Sequence, residues 1–66
     1  MKPKRLPHEL TNKEREILNT LSTGKYYKEI GVEHNITIDT VKKHCKNIYR
    51  KLGVRNRKQA VLTLVD

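Results

Sequence analysis

The chain has 66 residues, 7.8 kDa, 15 Lys and Arg against 7 Asp and Glu, a formal net charge of +8 and a pI of about 9.9. That length holds one domain around one core, which excludes the large enzyme architectures and a nucleotide-binding βαβ scaffold with its own substrate pocket. The single Cys excludes an intrachain disulfide and a four-thiolate zinc site, and no stretch approaches the roughly 18 apolar residues of a spanning helix, so a soluble cytoplasmic protein with no membrane partner is expected.

Lys2, Lys4 and Arg5 open the chain beside Pro3 and Pro7, and residues 1–8 read as a flexible basic arm or linker ahead of a folded domain at 9–66. Thr11 with Glu14 three residues on is a capping box, in which each side chain satisfies an orphan amide at a helix start. Ile17, Leu18 and Leu21, with Leu10 before them, form one apolar stripe, and Gly24 supplies the stop. These signals predict a first helix over about residues 12–22. A second, shorter helix is expected over about 27–34, with no good cap among Lys25, Tyr26 and Tyr27. Its interior Gly31 costs about 1 kcal/mol relative to Ala, so the glycine reads as room for the close approach of a neighbouring helix. Asn35 suits the left-handed backbone of a tight turn, and Ile36 plugs inward.

Thr37 caps a third helix over 38–52, Asp39 in its first turn complements the helix dipole, and Gly53 ends it. Val41, Cys45, Ile48 and Leu52 fall at i, i+4, i+7 and i+11, one narrow apolar stripe. At about 100° per residue, Lys43, Lys46 and Arg50 point the other way, flanked by Lys42 and Asn47. Asn56 with Gln59 makes a second capping box, for a fourth helix from Arg57 to about Val65. Ala60, Val61 and Leu64 share one face of it. Leu62 and Val65 lie on another, apolar with no use inside so small a monomer. No strand pattern or internal repeat occurs, and the expected fold is all-α.

Between Lys42 and Lys58 lie eight of the fifteen basic residues and no acid. One element is therefore strongly positive, which fits a polyanionic partner but does not choose among nucleic acid, an acidic surface and an acidic protein. The second and third helices are joined by only Asn35, Ile36 and Thr37, and a short turn before a helix with a basic outer face matches a helix-turn-helix over about 27–46, with 38–52 as its recognition helix. His8, His34, His44 and Cys45 do not make a metal site or a Cys–His nucleophile: His44 and Cys45 are adjacent, so on a helix they diverge by about 100°. Cys45 sits on the apolar stripe as a small buried thiol, and Tyr49 at its edge reads as core. No acid pair is placed for proton transfer and no glycine-rich phosphate loop is present, so neither an enzyme nor a cofactor is expected.

Three stretches together resemble the LuxR-type DNA-binding domain, the C-terminal effector of NarL/FixJ response regulators and quorum-sensing receptors. They are Leu10-Thr11-Asn12-Lys13-Glu14-Arg15-Glu16-Ile17-Leu18, then Gly24 with Lys28-Glu29-Ile30, then Thr40-Val41-Lys42-Lys43-His44. The tail Asn47-Ile48-Tyr49-Arg50-Lys51-Leu52-Gly53-Val54-Arg55-Asn56-Arg57, with Gln59-Ala60-Val61, continues the match, which runs without gaps over about residues 9–65. The resemblance implies a four-helix LuxR-type domain that binds double-stranded DNA and regulates transcription, with the third helix in the major groove. It puts Lys42, Lys43 and Lys46 against base edges, with Thr40, His44, Asn47 and Arg50 on or near the sugar-phosphate backbone. It brings Tyr27, Lys28 and Arg57 to phosphates. It also implies a homodimer through the fourth helix, with Leu62 and Val65 in the interface, though packing against a separate partner domain would use the same two residues.

The sequence departs from the family at three places. Gly31 stands where the family has Ala, His34 where it has Leu, and Tyr26 where it has a Ser or Thr cap. His34 then falls on a core-facing position, which calls for a shorter helix or an imidazole tucked against Tyr26 or Tyr27. A basic helical module for RNA or an acidic protein is the alternative function. A complete small regulator, beginning at Met1, and an effector domain of a larger protein with a sensor domain elsewhere are both compatible with the chain. The operator, the signal and any contact with the transcription machinery are not encoded in a readable way.

Overall fold

A computed structural model describes residues 10–64 of the chain. It holds four helices, α1 (Asn12–Leu21), α2 (Tyr27–His34), α3 (Ile38–Leu52) and α4 (Arg57–Leu62), and no strand among the described residues. The all-α expectation holds. Residues 1–8, the expected arm with His8 in it, lie outside the described residues.

Helix starts follow the local chemistry. The Thr11 hydroxyl accepts the Glu14 amide at 3.0 Å while the Glu14 carboxylate accepts the Thr11 amide at 2.9 Å, the expected reciprocal box. Thr37 and Asn56 cap α3 and α4 through the amides of Thr40 and Gln59. Side-chain caps of this kind contribute on the order of 1 kcal/mol each. The second box differs in one bond: Gln59 reaches past its cap residue and accepts the Arg55 amide at 2.8 Å. At α2 only half a box forms. Glu29 accepts the Tyr26 amide at 2.8 Å, but Tyr26 returns no cap bond.

Helix ends depart more from expectation. α1 stops at Leu21 with Ser22 as its cap, and Gly24, at φ +85°, turns the chain two residues later. α3 ends at Gly53 in the left-handed region, as read from the sequence. α4 has six residues and ends at Leu62, three short of Val65, with Thr63 as its cap. Its Thr63 hydroxyl donates back to the Ala60 carbonyl, a local bond that competes with helix extension. Val65 lies outside the described residues.

The core joins Leu10, Ile17, Leu18 and Leu21 with Ile30, then Val41, Cys45 and Ile48 of α3 and Ala60 of α4. Ile36, Leu52, Val61 and Leu64 close its edge. α1 and α3 each touch every other helix, while α2 and α4 flank that pair without packing on each other. A part-buried ion pair links the central two: the Lys51 ammonium donates to the Glu14 carboxylate at 2.8 Å. Burial opposes the charged form of Glu14. The Lys51 hydrogen bond, the Thr11 amide and the charges of Lys51 and His44 outweigh it, so this carboxyl titrates below its ordinary value.

At α2 one reading is made more specific and one is corrected. A β-carbon on Gly31 would lie 2.7 Å from the Ile36 carbonyl oxygen and 3.7 Å from the amide nitrogen of Ile38, the first residue of α3, so the glycine makes room for the turn and the start of the neighbouring helix it leads into. His34 is tucked against α1, not against Tyr26 or Tyr27: its ring lies 2.9 Å from the Thr20 hydroxyl and 3.3 Å from the Lys13 ammonium. Thr20 also donates to the Glu16 carbonyl, so a polar trio replaces the apolar contact a leucine would make. Asn35, at φ +58°, turns the chain from α2 into α3 as expected.

Candidate nucleic-acid interface

α3 is buried on one side and basic on the other. Val41, Cys45 and Ile48 are fully enclosed, and burial pushes the Cys45 thiol above its ordinary range despite the Tyr27 and Tyr49 hydroxyls beside it. Such a thiol is inert core, not a nucleophile. Lys42, Lys43 and Lys46 are exposed, and none has a hydrogen bond or ion pair among the described residues. Arg50 is exposed a turn further on and donates to the Asn47 side-chain oxygen at 3.4 Å. These five side chains lie along one outer surface about two and a half turns long.

The remaining expected residues border that surface in different ways. The Thr40 hydroxyl is 2.9 Å from that of Thr37, at the start of α3. His44 is half-buried on the flank that faces α1, close enough for its charge to act on Glu14. Lys28 is exposed in the first turn of α2. Tyr27 is half-buried with its hydroxyl 3.0 Å from that of Tyr49, and burial raises the titration of both phenols. Arg57 is turned inward. Its guanidinium donates to the backbone carbonyls of Leu21 and Lys25 and lies 5.6 Å from the centroid of the Tyr27 ring.

Lys42, Lys43, Lys46, Arg50 and Lys28 are thus exposed, while Tyr27 and Arg57 are half-buried and bonded within the fold. Residues 8–64 match the family described as bacterial regulatory proteins, luxR family. The chain belongs to this family. Over 58 residues it is 55% identical to the transcriptional regulatory protein LiaR of Bacillus subtilis (strain 168), covering 86% of this chain and 28% of LiaR. Over 52 residues it is 46% identical to the transcriptional activator protein YukR of Yersinia ruckeri, covering 79% of this chain and 23% of YukR. The transcriptional activator protein EchR of Dickeya chrysanthemi is 46% identical over 55 residues, 83% of this chain and 22% of EchR. The chain spans about a quarter of the length of these luxR-family relatives. It is a DNA-binding regulatory helix-turn-helix domain of a family of transcriptional regulators, not of enzymes. No helix among the described residues is long and apolar enough to cross a membrane.

Three long-range contacts are not legible in the sequence: the Glu14–Lys51 pair, the Tyr27–Tyr49 bond and the inward Arg57. Each joins residues at least 22 apart, and no local periodicity reports such a pairing.

Proposed function

We propose that the domain recognises specific duplex sequences by laying α3 in the major groove. The observation that supports this best is the outward trio Lys42, Lys43 and Lys46, free of internal partners and raised above a buried stripe. A lysine can donate to guanine O6 and N7 in that groove, though as a point charge it discriminates less sharply than a bidentate arginine. Thr40, His44, Asn47 and Arg50 then lie where they can meet the sugar-phosphate backbone on either side, and Lys28 reaches a phosphate from α2. Tyr27 and Arg57 support that contact from behind. Residues 1–8 form a basic arm or linker to the domain at 9–66.

The domain works as a dimer on a palindromic site, in the cytoplasm where the DNA lies. Leu62, 51% exposed on α4, supports the dimer assignment; Val65, the other residue assigned to it, lies outside the described residues. A sensor domain elsewhere or contact with the transcription machinery completes the regulator.

Selection of bound duplexes from a random pool supplies the cognate sequence for the test. Replacing Lys42 and Lys43 with Ala should lower the preference for the selected duplex over a scrambled one by roughly tenfold or more, since good base contacts discriminate by about 1–3 kcal/mol each. A double variant that ranks duplexes as the wild type does overturns the groove assignment. A wild type whose duplex binding does not weaken with salt overturns duplex binding itself, and tight binding to RNA or an acidic protein in that case identifies the alternative.

A further inference from the structure

α2 and α4 flank the central pair without packing on each other, yet one side chain spans the distance between them. Arg57, the first residue of α4, donates to the Leu21 carbonyl at 2.9 Å and to the Lys25 carbonyl. Leu21 ends α1, whose last turn has no basic residue of its own, and a cation there is favoured by the carbonyl end of the helix dipole. Lys25 precedes Tyr26, the N-cap residue of α2 that makes no side-chain cap. The same guanidinium covers the Tyr27 ring, and Tyr27 bonds Tyr49 of α3. One planar cation therefore ties the end of α1, the entry to α2 and, through two tyrosines, the flank of α3.

We propose that Arg57 is a positioning residue for DNA binding: it fixes the entry of α2, and so the aim of Lys28 relative to the α3 lysines, without contacting a phosphate itself. This rests on the duplex docking proposed above. The Leu21 and Lys25 carbonyls take both Nη2 hydrogens and the Tyr27 ring lies beside the group, so a phosphate that drew the guanidinium outward would break these contacts. One nitrogen, Nη2, makes both carbonyl bonds while the rest of the guanidinium sits over the Tyr27 ring. Lysine keeps the charge, but its shorter side chain has a single nitrogen and cannot reach both carbonyls and also place a delocalised cation over the ring. A direct phosphate contact, by contrast, depends mainly on charge, which lysine preserves.

The test compares Arg57→Lys and Arg57→Gln in the full chain, on a mixed-sequence DNA duplex across a salt titration. It is run below the melting transition of every variant, with folding checked by circular dichroism. Both variants should weaken binding by roughly five- to tenfold, to a similar extent. In a Lys28→Ala background the further change at Arg57 should cost less than about twofold, because its effect passes through Lys28. An Arg57→Lys protein that binds like wild type, with Arg57→Gln losing about 0.9 of the log–log salt slope, makes Arg57 a phosphate ligand and overturns the proposal. Equal costs in both backgrounds also overturn it. So do folded variants that both bind like wild type, which would leave Arg57 a role in stability alone. A wild type with no salt-dependent duplex binding overturns the docking reading and this assignment together.

Discussion

A β-carbon on Gly31 would meet a backbone oxygen, the Ile36 carbonyl, at 2.7 Å, and backbone cannot rotate out of the way as a side chain can. The same Ile36 residue is held there by its amide, which donates to the Gly31 carbonyl at 2.8 Å. Two effects oppose each other in Gly31→Ala: about 1 kcal/mol of helix propensity gained, and overpacking of about 1–3 kcal/mol against the turn. The steric term wins, so the variant should be less stable by about 1 kcal/mol in denaturant unfolding. A rise in the unfolding midpoint would show that the turn yields instead. The sequence marked Gly31 as a point of close approach by a neighbouring helix but not the atom that comes nearest, because that atom is set by the path of the chain after Asn35. Asn35 itself was legible, since its αL tendency is a property of one residue.

Among the elements, α1 and α3 are joined by apolar packing and by one ion pair. The Glu14 carboxylate is nearly buried and takes two donors, the Thr11 amide and the Lys51 ammonium. Glu14→Gln can keep the cap but replaces the charge-assisted bond from Lys51 with a neutral one, and should cost about 1–3 kcal/mol at neutral pH. The folded carboxyl titrates below its unfolded value, so its contribution is complete above about pH 5 and is lost as pH falls through the lowered value. The stability gap between wild type and variant should accordingly narrow as the pH falls below about 5, followed by urea unfolding at each pH. A gap that stays constant over that range would mean the ionised pair contributes nothing. By comparison the Lys25–Glu33 bridge is exposed at both ends and contributes little. Glu14 was visible in the sequence as half of a capping box, whereas its second partner, 37 residues away, was not.

For the molecule as a whole, the net charge of +8 sets long-range attraction to DNA, and the dimer proposed through α4 is tested at Leu62. Leu62→Gln removes the exposed apolar side chain without adding charge near the phosphates. Its folding stability should stay within about 0.5 kcal/mol of wild type, as for other surface changes. Its affinity for a single half-site should also be unchanged, while the advantage of a palindromic duplex over that half-site should disappear in a gel-shift titration. A variant that retains the palindrome advantage places the dimer contact elsewhere.

Much of this protein follows from the sequence alone. Thr11, Thr37 and Asn56 start three helices, Asn35 and Gly53 supply left-handed turns, and the spacing of Val41, Cys45 and Ile48 divides α3 into a buried and a basic side. Those features depend on residues within a turn or two of one another, and that is the range over which backbone preference and helical periodicity act. Tertiary structure alone decided the rest. It turned Arg57 inward, paired Tyr27 with Tyr49, set His34 against Thr20 and Lys13, and gave Glu14 its lysine. In each case the side chain is long or polar enough for several partners. Which one it takes depends on where the packed helices bring a carbonyl, a ring or a carboxylate within its reach.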